Sequence, residues 1–288
     1  MNNLVVNWHI TEKCNYHCRF CFAKWNNQKE IWNSFEEAKS ILENLHSIWK
    51  SSYRLNFVGG EPLLFSSKII PIMNYAISLG MNISIQTNGT KLEILAPIVR
   101  SISQIGISID SWDSERNKII GRCCGAKTLN KDALLHKINL LRKAGGTFKL
   151  KINTVVNEWN WDDVVIPQMD ELGCNRIKIL RQMPFGTSKG ISEEQFHTFI
   201  KCNYRETLPI YIEDNDLMTE SYLMIAPDGK LFQNTLSGRY VFSNSLLSTK
   251  FTDAIRQINF DIEKFDSRYK SDKTDLILKK VFGTKNNV

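Results

Sequence analysis

Strand-like runs alternate with amphipathic helical stretches along most of this chain, and no other feature limits its fold as strongly. Leu4–Ile10 reads as a short strand. Ser34–Trp49 has helical periodicity, with Ser34 and Glu37 placed as a capping box. Leu55–Val58 reads as a buried strand ended by Gly59-Gly60, and Lys68–Leu79 as a helix closed by Gly80. Asn82–Gln86, Ile105–Ile109, Phe148–Val156 and Ile177–Leu180 are further strands. Between them Asp132–Ala144 and Trp161–Leu172 read as helices, the first stopped by Gly145-Gly146. Repeated strand–helix units imply parallel strands joined by helical crossovers. About six units precede Pro184, fewer than the eight of a full barrel. The expected fold is therefore α/β, a partial (β/α)6 barrel over residues 1–183 with a C-terminal extension, 184–288, that closes the substrate site. In such folds the loops after the strand C-termini build the active site.

The extension opens with Pro184–Ser192, which reads as a linker, followed by a helix over Glu193–Tyr204. Ser221–Ala226 and Lys230–Asn234, joined by Pro227-Asp228-Gly229, carry a hairpin signal. From Phe251 the tail is a mixed-charge helical stretch.

Bulk composition narrows the class. With 288 residues and 42% hydrophobic side chains the chain can bury a good core in one large domain or two small ones. Its formal charge of +7 suits a polyanionic partner and equally a plain solvated surface. The opening residues show no secretory signal, and no run has the length of a membrane span. Seven cysteines, an odd number with three clustered, argue for a reducing compartment, so a cytoplasmic location is expected.

That cluster is the chemical signature. Cys14-Asn-Tyr-His-Cys18-Arg-Phe-Cys21 puts three thiols on one loop directly after the first strand. Three thiolates can hold three irons of a [4Fe–4S] cube and leave the fourth open to a ligand that accepts an electron. The competing reading is zinc, which usually takes two ligand pairs; here only His17 could complete a set, and it is wedged between Cys14 and Cys18. Cys123, Cys124, Cys174 and Cys202 have no ligand spacing and read as buried or incidental thiols.

The C-x3-C-x2-C loop, with Phe20 before its last cysteine, resembles the radical S-adenosylmethionine superfamily. Asn56-Phe57-Val58-Gly59-Gly60-Glu61-Pro62 is similar to that superfamily's GGEP motif. Two glycines let backbone carbonyls approach an ammonium, and Glu61 adds negative charge. The resemblance extends, from about Val6 to about Asn234, to the viperin family. It is carried by Asn7–Thr11 with the cysteine loop, Ser108–Ser111 with Ile120-Gly121-Arg122, Lys151–Asn157 and Ser221-Tyr222-Leu223.

This resemblance implies a [4Fe–4S] cluster on Cys14, Cys18 and Cys21 with S-adenosylmethionine on its open iron. It implies cofactor contacts at Phe20, Gly59, Gly60, Glu61, Asn88, Ser108 and Arg122, and substrate contacts at Arg54, Lys151, Asn153, Arg176, Lys178 and Tyr222. Tyr222 is also the candidate proton or electron donor. The implied reaction is conversion of a nucleoside triphosphate (CTP, GTP or UTP) to its 3′-deoxy-3′,4′-didehydro analogue, a chain terminator suited to antiviral defence. An external electron donor is needed; no stable nucleic-acid partner is expected. Physically, cations inside apolar strands are costly unless paired or met by an anion, and a triphosphate would meet several at once. Lys149 shares a face with Lys151 but has no counterpart in the resemblance. Arg54 stands where vertebrate viperin has lysine. The first strand begins almost at Met1, so the membrane-binding helix of the vertebrate proteins is expected to be absent. His9 reads as a core histidine. Two other readings stay open: a radical enzyme of another kind, such as an activating enzyme or a deazapurine-type synthase, and a basic zinc-binding nucleic-acid module.

Overall fold

Strand β1 (Val5–His9) sets the rule for the sheet: Val6 and Trp8 are fully buried on one face, while Asn7 and His9 take the other. The same alternation runs through β2 (Arg54–Val58) and β3 (Asn82–Thr87), where Leu55, Phe57, Ile83 and Ile85 are fully buried. It continues in β4 (Ile102–Ser108), β7 (Lys149–Val156) and β8 (Arg176–Arg181). Two-residue strands β5 (Cys123–Cys124) and β6 (Lys127–Thr128) form a separate small hairpin. The computed structural model describes residues 4–23, 25, 29–184, 189–235, 239–268 and 271–283, without the side chains of 271 and 272.

Crossovers cover the apolar face. In α1 (Phe35–His46) the Ser34 hydroxyl accepts from the Glu37 N–H at 3.3 Å, and Ala38, Ile41, Leu42 and Leu45 form one buried stripe. Helix α2 (Ser66–Ser78) buries Ile69, Ile72, Met73 and Ala76 in the same core. After β4 come α3 (Ser114–Ile120) and α4 (Lys131–Lys143). The helix expected over Trp161–Leu172 is instead a 3-10 segment, Ile166–Leu172. A side chain diverts its start: Asn203 Oδ1 takes the N–H groups of Val165 and Ile166 at 2.7 and 2.9 Å.

The extension does more than cap the core. After α5 (Glu193–Asn203), β9 (Ile210–Glu213) pairs parallel with β8, and β10 (Leu223–Ile225) pairs parallel with β1 on the far side of the parallel strands. The expected hairpin then forms from β10 and β11 (Lys230–Asn234), and β12 (Tyr240–Ser245) adds antiparallel. Of the expected linker, residues 185–188 lie outside the described residues. The ten-stranded sheet runs β12-β11-β10-β1-β2-β3-β4-β7-β8-β9: the six parallel strands expected before Pro184 are present, and the extension adds β9 and β10 parallel to them.

No pairing joins β9 to β10 among the described strands, so the barrel is open. It is nonetheless strongly curled. Laid flat, eight strands would separate β9 from β10 by roughly 34 Å. Residues 214–222 must bridge them, and the helical turn Asn215–Met218 among them cuts an extended reach of about 33–36 Å well below that separation. Curling brings the strand ends together and encloses the second face of the sheet. Parallel sheets are usually apolar on both faces. Here the enclosed face carries Asn7, Asn56, Ser84, Gln86, Ser108, Lys151, Asn153 and Lys178.

Candidate active site

At the C-terminal ends of the strands the cysteine loop is pinned by backbone. Gly60 N–H donates to Thr11 O at 2.6 Å and Glu61 N–H to Lys13 O at 2.9 Å. A Cβ on Gly59 would stand 2.4 Å from Thr11 O, and one on Gly60 2.2 Å from Lys13 O, so only glycine admits this approach. Beneath the loop, buried Glu30 accepts from Thr11 Oγ1 and Glu12 N–H, each at 3.0 Å, and from Trp32 Nε1 at 2.6 Å. On the far side His17 N–H and Arg19 N–H bond to Gly121 O and Ile120 O at 2.9 and 3.0 Å. His17 itself is exposed. Cys14, Cys18 and Cys21 are free thiols, each half-buried, and Phe20 sits at the turn between Cys18 and Cys21.

Glu61 is completely buried. Its carboxylate accepts from Thr87 Oγ1 and Asn88 N–H at 2.7 Å and Leu63 N–H at 3.0 Å. It therefore ties the end of β2 to the end of β3. Burial raises its pKa, against the pull of those three bonds. Asn88 Nδ2 donates to Asn15 Oδ1 at 2.8 Å and lies 4.0 Å from the Cys14 sulfur.

Arg122 closes the rim. It pairs with buried Asp110 at 2.9 Å, donates to Ser108 O at 2.5 Å, and approaches the Cys18 sulfur at 4.0 Å. Burial alone would weaken its proton affinity; Asp110 and the Cys18 thiol reverse this and raise its pKa. Asp110 was not singled out in the sequence, although it stands within the Ser108–Ser111 segment; its second oxygen accepts from the Val155 N–H at 2.8 Å. Ser108 Oγ accepts from Gln86 Nε2 at 3.0 Å, and Gln86 Oε1 accepts from Asn153 Nδ2 at 3.2 Å.

These surroundings fit a thiolate-ligated cluster. Burial raises the pKa of Cys14 and takes that of Cys18 up to about 12, while Arg122 opposes both. A cation against the loop favours thiolate, which metal binding requires. Among the described residues no three ligand-type side chains stand at metal-binding spacing.

The enclosed face leads away from this rim to the other end of the strands. There a cavity of about 440 Å³ is lined by Arg54, Gln104, Lys149, Arg176 and Tyr211, among others. Arg54 donates to Gln104 at 3.3 Å and Arg176 stacks on Tyr211 at 3.9 Å. Lys151 lies within the field of Lys178, Arg176 and Arg54; burial first, then these cations, push its pKa well below the usual value. Lys178 is 4% exposed and is drawn down to about 8 by burial and by Arg268 and Arg176, against the pull of Glu213. Glu213 forms an ion pair with Lys178 and accepts from the Tyr222 hydroxyl. The Arg268 guanidinium lies 3.6 Å over the Tyr222 ring. The structure thus groups Arg54, Lys151, Arg176 and Lys178, with Asn153 linked to Ser108 through Gln86 and Tyr222 joined to Lys178 through Glu213. Sequence reading missed Glu213 and Arg268, which lie outside any motif. His9 is buried among Phe22, Trp25 and Phe232, and burial pulls its pKa down to about 3.

Residues 8–166 match the model of the radical SAM superfamily. A curated S-adenosylmethionine-dependent nucleotide dehydratase of Fibrobacter sp. (strain UWH6) is 43% identical, over 96% of this chain and 90% of its own. This chain belongs to that family, the viperin-type members of the radical SAM superfamily. A second relative of the same name, from Psychrobacter lutiphocae, is 35% identical over 93% of this chain and 95% of its own. Solved structures repeat the fold at low identity. Native anSMEcpe with bound AdoMet superposes with a TM-score of 0.59 at 16% identity, covering 93% of this chain and 84% of that one. SuiB of Streptococcus suis bound to S-adenosylmethionine gives 0.59 at 15%, covering 92% of this chain and 67% of that one. Family membership makes a [4Fe–4S] cluster and S-adenosylmethionine the cofactors of this chain. No helix among the described residues is long and apolar enough to cross a membrane.

Proposed function

We propose that this chain dehydrates a nucleoside triphosphate to its 3′-deoxy-3′,4′-didehydro analogue. The observation that carries the reading is the convergence of Arg54, Lys151, Arg176 and Lys178 on one enclosed polar face. Like charges held in each other's field cost free energy in the empty protein. A triphosphate, with its several negative charges, offsets them together.

Cys14, Cys18 and Cys21 would hold the cluster. Bound there, the cluster and S-adenosylmethionine supply a 5′-deoxyadenosyl radical on one-electron reduction. Arg122, oriented by Asp110, suits the methionine carboxylate as a planar fork. Gly59 and Gly60 admit the backbone of the cysteine loop against the turn whose carbonyls would receive the amine, and Glu61 positions that turn and Asn88. Asn153, held through Gln86, lies between rim and cations and suits the ribose. Tyr222 is the candidate proton or electron donor for loss of the 3′-hydroxyl as water. CTP, GTP and UTP are the candidate substrates, an external donor supplies electrons, and a chain-terminating product suits antiviral defence.

The test is anaerobic incubation with S-adenosylmethionine, dithionite and each of the four common nucleoside triphosphates, read by mass spectrometry. The expected result is loss of one water from one nucleotide together with 5′-deoxyadenosine. Cofactor cleavage with no dehydrated nucleotide in any reaction would overturn the substrate assignment.

A further inference from the structure

Glu213 is a carboxylate in a site otherwise built for anions. It ends β9, is 2% exposed, and meets side chains from three separate segments. Lys178 comes from β8, Tyr222 from the turn before β10, and Arg268 from the C-terminal segment at 3.8 Å. Arg268 is 4% exposed and also donates to Ser221 O at 2.6 Å. β9 and β10, the outermost parallel strands, and the tail are thus joined through one carboxylate where the sheet lacks backbone closure.

A buried carboxylate near a phosphate pocket ought to repel the substrate unless it does something else. Charge counting shows what that is. With Glu213 ionised, Lys178 and Arg268 leave the group with a net charge of +1. Without it, Lys178 faces Arg268, Arg176 and Lys151 in a dry site and holds its proton less firmly, so the positive charge gained is partly lost again. Removing Glu213 therefore gains little attraction for phosphate and loses the geometry.

We infer that Glu213 is a positioning residue for the substrate site: it keeps Lys178 charged and holds Lys178, Tyr222 and Arg268 in place to receive the phosphate tail. The inference rests on the nucleotide reading above. It also makes the C-terminal segment part of the site, through Arg268.

The test compares Glu213→Gln and Glu213→Asp with wild type, each as the reconstituted holoenzyme. Cluster content and nucleotide-free cleavage of S-adenosylmethionine should match wild type in both. In Glu213→Gln, KM for the nucleotide should rise about tenfold. The alkaline fall of kcat/KM should also move about one pH unit lower, because Lys178 and Lys151 both lose the same counter-charge. Glu213→Asp keeps the charge but not the reach, so KM should rise while the alkaline limb stays in place. A folded Glu213→Gln with wild-type KM and limb, or with tighter nucleotide binding, overturns the inference. If Glu213→Gln does not fold, a shifted limb in Glu213→Asp overturns it instead. A wild type that yields no dehydrated nucleotide fails the underlying reading; a productive wild type beside an indifferent Glu213→Gln fails this inference alone.

Discussion

The two ends of the curled sheet are built on different principles. At the rim, function rests on backbone: Gly60 N–H on Thr11 O, Glu61 N–H on Lys13 O, and the N–H groups of His17 and Arg19 on the turn after α3. Its residues come in short runs, and side chains such as Glu30, Glu61 and Asp110 serve to hold that backbone. At the far end, the proposed function rests on side chains from separate strands, with cations held apart by pairing or stacking rather than by main chain. The rim tolerates almost no added volume, whereas the far end depends on charge. Chemistry that needs one fixed cluster geometry suits the first construction. Recognition of a flexible polyanion suits the second.

Variants can break this contrast. The largest effect is expected from Cys14→Ala, which should abolish the brown iron–sulfur absorbance, cofactor cleavage and nucleotide product together; surviving product would refute the cluster assignment. Next comes Gly60→Ala. Its Cβ would press on the Lys13 carbonyl, and overpacking of this kind costs about 1–3 kcal/mol. That corresponds to a melting temperature lower by roughly 2–8 °C, read by calorimetry alongside a reduced iron content. An unchanged melting curve and full iron loading would mean that the rim yields.

Lys178→Met should spare the rim. Nucleotide-free cofactor cleavage stays at the wild-type rate, while KM for the triphosphate rises about ten- to a hundred-fold, the worth of one charged contact. Equal losses in both reactions would show that the two ends are not separable. The smallest effect is on pH. Lys178 is charged below about 8 and neutral above it, so kcat/KM should decline as pH rises through that value, and Lys151, whose pKa is also held well below the usual value, adds to the fall. Nucleotide-free cleavage should lack that limb, and its presence there would place the titrating group at the rim instead.

Much of the core was legible because strand and helix periods differ. β3, β7 and β8 lie within a residue of their sequence-read ends, whereas β4 starts three residues early, at Ile102. The rim was legible too, since its residues are neighbours in sequence and glycine at a tight approach has no substitute. The 3-10 form of Ile166–Leu172 was not, because distant Asn203 captures the N–H groups of Val165 and Ile166 that a helix from Trp161 would need. β9 was missed as well: Ile210–Glu213 is short and carries no pattern of its own, and with it went Glu213.

By itself the sequence determined the reaction class and the parallel α/β plan, since both follow from local spacing: three thiols on one loop, two glycines at a strand end, and alternating periods. Alternation in Lys149–Val156 and Arg176–Arg181 also showed that these strands have a polar face. Only the tertiary structure decided that this face is enclosed. The first and last parallel strands of the sheet, β10 and β9, linked by a segment too short to span it flat, force the curl that brings Arg54, Lys151, Arg176 and Lys178 together. The same curl sets Glu213 between Lys178, Tyr222 and Arg268, residues whose separation along the chain says nothing of their contact.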